Sequence, residues 1–216
     1  MLKPEQIIFC DNHLLALDKP GGLLCQPSGT EETSLEDLGK AWLKERFQKP
    51  GNVFLEAVHR IDRPVSGIVL FARTSKALSR LNASQRAGQW RKTYQAWVSG
   101  DMPEDSGALV SWLIHDDFCS RAVAPATPGA KEAQLTYRVL KRESGHTLLE
   151  VQLLTGRYHQ IRAQLAEAGC PILGDAKYGS REIWQTGRGN IALRHCRLEF
   201  PHPVTREPIV LDAPWN

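Results

Sequence analysis

The chain has 216 residues, 42% of them hydrophobic and 24% charged, with a formal net charge of +3. That composition is ordinary for a globular protein and long enough for a sizeable core. No apolar run reaches the roughly eighteen residues a membrane helix needs, and the first ten residues lack the apolar core of a secretory signal.

In chain order, Ile7 to Cys10 and His13 to Lys19 read as short strands split by Asp11-Asn12, and Pro20-Gly21-Gly22 breaks the second. Thr33-Ser34-Leu35-Glu36 has the form of a capping box. It opens a helix with Leu35, Leu38 and Trp42 on one face, stopped by Pro50-Gly51. Val53 to Val58 and Gly67 to Ala72 read as strands joined by the loop His59 to Ser66. Thr74 or Ser75 caps a second helix, with Ala77, Leu78 and Leu81 inward, Lys76, Arg80 and Arg86 outward, and Gly88 as the stop. Lys92 to Val98 alternates as a strand, with Tyr94, Ala96 and Val98 sharing a face. Ala133 to Leu140 and His146 to Leu154 form a hairpin around Ser144-Gly145, and Tyr158 to Ala168 reads as a helix closed by Gly169. Ile191 to Phe200 and Ile209 to Leu211 supply late strands. Many strands with few helices between them predict an α+β fold with a mixed, largely antiparallel central sheet flanked by helices, in a single domain spanning residues 1–216.

The five cysteines are scattered, odd in number and without a Cys-x-x-Cys pair. Free thiols in a reducing cytoplasm are expected rather than a disulfide framework or a zinc finger. His195-Cys196 with His202 has no metal-ligand spacing, and no dinucleotide, phosphate-loop or serine-hydrolase motif occurs. These segments therefore hold no motif for a metal or an organic cofactor.

Charge distribution says more than net charge. From Arg60 to Lys92 there are eight basic residues and one acid, Asp62, so this stretch carries +7 and the remainder −4. Such a local excess suits a polyanion, although a solvated helix face accounts for it equally. Asp62 is flanked by Arg60 and Arg63, and nearby guanidinium groups favour the ionised carboxylate. An ionised, oriented carboxylate is a nucleophile toward a sugar or base carbon. Taken alone, this loop also reads as a structural ion-pair loop. In Thr155 to Arg162, a helix would put His159 and Arg162 on one face. Arg157 and Arg162 then suit a phosphate or Asp62, and His159 a general base. The Tyr94 ring suits stacking on a base and its hydroxyl suits proton handling, beside the commoner fate of a half-buried strand tyrosine.

Together these segments resemble a known family. HRIDRPVSG at 59–67 resembles the catalytic loop of the RluA family of pseudouridine synthases, and LDKPGG at 17–22 its upstream block. RKTYQAWVSG at 91–100, TGRYHQIRAQLAEAGCPILGDAKYG at 155–179 and LRHCRLEFPHPVTREP at 193–208 are similar to its later signatures. The five occur in family order and span most of the chain. The resemblance implies that the protein isomerises uridine to pseudouridine in ribosomal or transfer RNA without cofactor; the free thiols point to the cytoplasm, and a monomer is the default for a compact enzyme that binds one RNA element. Asp62 would be the catalytic aspartate and Tyr94 would stack on the uracil. Arg162 would pair with Asp62, and Arg60 would fill the gap left by the flipped nucleotide. Arg63, Arg157, His159 and Lys92 would bind or brace the substrate. The family usually has Thr where this chain has Val65, and many relatives carry an N-terminal RNA-binding domain of the S4 type, for which residues 1–6 leave no room. Three rivals remain: a catalytically silent RNA-binding module, a metal-independent hydrolase using Asp62 and His159, and a structural ribosome-associated protein.

Overall fold

A computed structural model describes residues 2–184 and 190–215. The chain divides into two compact units, one made of residues 1–92 and 195–216 and the other of residues 93–194.

In the first unit, β1 (Ile7–Cys10) turns back into β2 (Leu14–Lys19), antiparallel. The turn forms because the Asp11 carboxylate accepts from the Nα atoms of His13 and Leu14, both at 2.7 Å, as Asx turns do. β2 pairs with β4 (Ser66–Ala72), and β4 also takes β3 (Glu56–Ala57). β10 (Leu193–Pro201) lies beside β4 and forms an antiparallel ribbon with β11 (Pro208–Asp212). Leu14, Ala16, Ile68, Leu70, Leu198 and Phe200 build the core, with Ala77 and Leu81 of α2 (Ser75–Arg86) against them.

In the second unit the strand order is β5 (Arg91–Ser99), β9 (His146–Leu153), β8 (Lys131–Glu143), β6 (Ser106–Asp116), β7 (Cys119–Val123). The β6–β7, β6–β8 and β8–β9 pairings are antiparallel. β8 and β9 turn at Ser144 and Gly145, both with positive φ (53° and 78°), as a tight two-residue hairpin requires. Tyr94, Ala96 and Val98 are all buried on one face of β5. α3 (Gln160–Glu167) is tied to the strands by the buried Gln164 amide, which reaches the Leu109 and Ala133 carbonyls and the Ser111 hydroxyl at 3.0–3.1 Å. The fold class is α+β, with mostly antiparallel strands in a mixed sheet and three α-helices among the described residues.

Several local expectations are corrected. In α1 (Leu35–Arg46) the cap is Ser34, not Thr33, and Asp37 is its reciprocal partner, while Glu36 pairs with Lys40 at 2.8 Å. The buried stripe is Leu35, Gly39 and Leu43; Leu38 and Trp42 lie at its margin. Gly39 sets this rotation, since a Cβ there would stand 2.7 Å from Leu55. The strand expected at Val53 to Val58 shrinks to two residues. α3 starts two residues late, because His159 is left-handed (φ 52°), and ends at Glu167 with the exposed Ala168 as its cap. β6 and β7 were not anticipated.

Candidate active site

Asp62 stands half-buried in the loop between β3 and β4, with Ile61 and Val65 buried beside it. The loop is a tight turn closed by the Val65 Nα donating to the Asp62 carbonyl at 3.0 Å. Two devices fix it. The first is Lys19, fully buried at the end of β2, whose Nζ donates to the Pro20, Leu23 and Arg63 carbonyls at 3.0, 2.8 and 2.9 Å. All three ammonium protons are thus spent joining the Pro20-Gly21-Gly22 turn to the Asp62 loop. Burial pulls the Lys19 pKa down to about 8, opposed by the charge of Asp62 nearby. The Cys25 thiol donates to the Ile61 carbonyl, and the Gly22 Nα to that of Arg63 at 2.8 Å.

The second device is Gly67 at the loop's exit. Its φ is +111°, and a Cβ there would overlap the His195 carbonyl of β10 and stand 2.7 Å from the His195 nitrogen. Only glycine allows both that backbone conformation and that approach.

The arginines on either side of Asp62 differ. Arg60 is exposed. Arg63 serves the loop: its Nε donates to the Gly22 carbonyl at 2.9 Å and its head pairs with the exposed Glu32 at 3.2 Å. Elsewhere in the basic stretch, Arg73 donates to the Asp11 carbonyl and lies over the Phe47 ring, and Arg80 donates to the Pro203 carbonyl at 3.0 Å. These two hold the unit together, while Lys76, Arg86 and Arg91 are exposed. Lys92 is half-buried over the Trp90 ring at 5.6 Å, and burial lowers its pKa to about 8. His59 is buried against Trp90 and His195, accepts from the Leu70 Nα at 3.2 Å, and is held well below its ordinary pKa by burial, then by Lys92. His195 donates from Nδ1 to the Ile68 carbonyl. His202 accepts from the Thr205 Nα on Nδ1, so its Nε2 carries the proton given to Asp11 at 2.9 Å. Both are structural, and no cluster of metal-binding side chains occurs among the described residues.

In the second unit, the turn Thr155 to His159 is folded by Gln160. Its Oε1 accepts from the Thr155 hydroxyl and the Arg157 Nα (2.8 and 2.9 Å), and its Nε2 donates to the Gln134 carbonyl at 3.0 Å. Arg157 is exposed and donates from Nε to the Glu132 carbonyl. Arg162 is buried on α3, and Asp175 grips it through two bonds of 2.6 and 2.8 Å. A bidentate carboxylate fixes the guanidinium plane as well as its position.

Arg162 Nη1 also lies 2.9 Å from His159 Nε2. A guanidinium only donates, so Nε2 must be the acceptor and the proton of the neutral ring sits on Nδ1. That Nδ1–H then donates to the Tyr178 hydroxyl oxygen at 2.9 Å, which also accepts from the Ser120 Nα at 2.8 Å. Burial, then Arg162 and Lys177, lower the His159 pKa to about 3, and burial raises that of Tyr178 to about 12. His159 is therefore a neutral strut whose basic nitrogen is occupied, rather than a general base. Tyr94 is buried on β5.

Lys19, Asp175, Tyr178, Ser120 and Gln160 were not singled out from sequence. Lys19 and Asp175 carried a signal: each is a charged residue next to Pro or Gly at the end of an apolar run, where burial demands a partner.

Over residues 13–167 the chain matches the RNA pseudouridylate synthase family. It is 33% identical over 217 residues to the ribosomal large subunit pseudouridine synthase C of Vibrio vulnificus, covering 98% of this chain and 66% of the relative. The protein of that name from Escherichia coli is 32% identical over 220 residues, with 98% and 67% covered. The chain thus spans about two thirds of the length of these relatives. Among solved structures, human RNA pseudouridylate synthase domain containing 4 superposes with a TM-score of 0.81 at 22% identity, covering 98% of this chain and 89% of that one, a likeness of fold. By the extent of the family match and these identities, the chain belongs to the RNA pseudouridylate synthase family.

Proposed function

We propose that this protein is a pseudouridine synthase that isomerises particular uridines of ribosomal RNA, transfer RNA or both. Family membership supports the reaction class, and the names of its bacterial relatives support a ribosomal substrate. The observation that carries the reading is the Asp62 loop, pinned on one side by Lys19 and on the other by the close approach at Gly67. A lone surface ion pair needs no such bracing.

In the proposed reaction the target uridine leaves the RNA stack, which costs least in a loop or bulge. Asp62 attacks the ribose or the base as the N1–C1′ bond breaks. The freed uracil rotates, C5 bonds to C1′, and the bond to Asp62 breaks to return the carboxylate. The C5 proton then departs, handled by Tyr94 stacked on the ring. Arg162 is the cationic partner in this proposal, and Asp175 with His159 aims its guanidinium. Arg60 occupies the gap left by the flipped nucleotide; Arg63, Arg157 and Lys92 bind or brace the RNA, while His159 braces the site through Arg162. No cofactor enters. Residues 1–216 act as one catalytic domain, monomeric and cytoplasmic, in keeping with a chain whose five cysteines are all free.

The test is to incubate the protein with bulk cellular RNA lacking modification, digest to nucleosides and quantify pseudouridine and free uracil. Pseudouridine without free uracil is expected. Free uracil would indicate a hydrolase, and neither product, with RNA still bound, would leave an RNA-binding module.

A further inference from the structure

One end of the β6–β7 hairpin carries aromatic rings that the reaction does not use. Tyr158 is 43% exposed and sits between two histidines. It stacks on His159 at 3.9 Å with planes 17° apart, and the exposed His115 ring lies 4.2 Å away, tilted by 46°. At the hairpin tip Phe118 is 75% exposed. Lys177 donates to the Phe118 carbonyl at 3.0 Å and holds its ammonium 5.9 Å from the ring. The acids of this tip are Asp116, paired with Arg121 at 3.3 Å, and Asp117 in the turn.

We infer that His115, Tyr158 and Phe118 form a platform for an unpaired base of the RNA flanking the target uridine, with Lys177 and Arg121 for the adjoining phosphates. The inference rests on the RNA-modifying reading above and extends it to substrate recognition. Tyr158 is the middle ring of the stack, and the exposed rings of His115 and Phe118 accept any base, with cations beside them to match the charge of the strand. Two bonds make the platform continuous with the Arg162 network: Ser120 of β7 donates from Oγ to the Tyr158 carbonyl at 2.5 Å and from its Nα to Tyr178. A base held there is registered to the residues that position Arg162. Rigid stacking suits this role, since the buried, neutral His159 backs the Tyr158 ring and little side-chain freedom remains to be lost on binding.

The probe is a fluorescein-labelled oligouridylate of about twelve nucleotides, compared with the same strand carrying abasic riboses, titrated by anisotropy over a range of salt. Wild type is expected to bind the uridine strand about tenfold more tightly than the abasic one. Phe118→Ala and Phe118→Leu should each remove most of that ratio while leaving the salt slope unchanged. Tyr158→Ala should do the same, but it also unstacks His159, so the Phe118 variants decide. Lys177→Gln should keep the ratio and reduce the salt slope by about 0.7. An unchanged ratio in the Phe118 variants, or none in wild type, overturns the inference. So does a change of sedimentation in Phe118→Ala with RNA binding intact, which would make the patch a protein interface. Because Phe118 is exposed, its variants should melt with wild type by circular dichroism. Loss of the ratio in a protein that forms no pseudouridine would sustain the platform and sink the isomerase; normal pseudouridine with an unchanged ratio would do the reverse.

Discussion

At the scale of single residues, the site is built from charges that burial forces into partnership. Arg162 illustrates this. Its carboxylate partner Asp175 sets the plane, and its histidine partner is held in one tautomer by Tyr178. Tyr178→Phe removes the acceptor of both the His159 Nδ1–H and the Ser120 N–H. We expect a loss of about 1–3 kcal/mol in unfolding free energy, together with a fall in kcat larger than any change in KM, measured by urea titration and by turnover. A Tyr178→Phe enzyme with wild-type kcat would mean that the strut does not position Arg162. Val65 is the other instructive residue. It is 2% exposed, so the methyl that stands in place of the family's usual hydroxyl fits an apolar site, and its contribution to the loop is the backbone bond to Asp62. Asp62, Tyr94 and Arg162 were candidates from the sequence, first from local charge, ring chemistry and helix spacing and then from the family motifs. Lys19, Asp175 and Tyr178 were not, because their importance arises from partners 44, 13 and 19 residues away.

At the scale of elements, alternation and turn chemistry were the readable signals. The β8–β9 hairpin followed from Ser144-Gly145, and the buried face of β5 from Tyr94, Ala96 and Val98. The misreadings share a cause, which is that tertiary contact overrode local pattern. The α1 stripe turned toward Gly39 because Leu55 approaches there, and the α3 start moved because Gln160 spends its side chain on the preceding turn. β6 was hard to see because its outward residues include Val110, 59% exposed, which blurs the alternation. Gly67 is where element geometry and site meet. Gly67→Ala should cost at least about 2 kcal/mol in stability and reduce turnover further than stability alone explains, since the displaced strand start carries the Asp62 loop. Equal stability of Gly67→Ala and wild type in urea would show that the approach to His195 is loose.

For the whole molecule, buried ionisable groups set the response to acid. His59 is held well below its ordinary pKa of 6.5, and His159 is lowered to about 3. Between pH 6.5 and 3 the unfolded chain therefore binds more protons than the folded one. The stability is fully present above pH 6.5 and is lost as pH falls toward the folded values. At pH 5 His159 alone should have removed about 2 kcal/mol, with His59 acting in the same direction, so the urea midpoint should drop between pH 7.5 and 5.0. His159→Gln should drop less over the same interval; an identical drop would place the acid sensitivity elsewhere. The basic stretch also looks different at this scale. Arg73 and Arg80 are committed within the first unit, so RNA affinity should respond to Lys76, Arg86 and Arg91 ahead of them.

The central claim is that Asp62 performs an isomerisation on RNA uridine. It is tested most directly with bulk cellular RNA carrying tritium at uracil C5, incubated with wild type and with Asp62→Asn. Pseudouridine formation replaces the C5 hydrogen by the glycosidic bond, so tritium should enter water with wild type and not with the variant. Equal release by both proteins, or none by a wild-type protein that binds the RNA, would contradict the account.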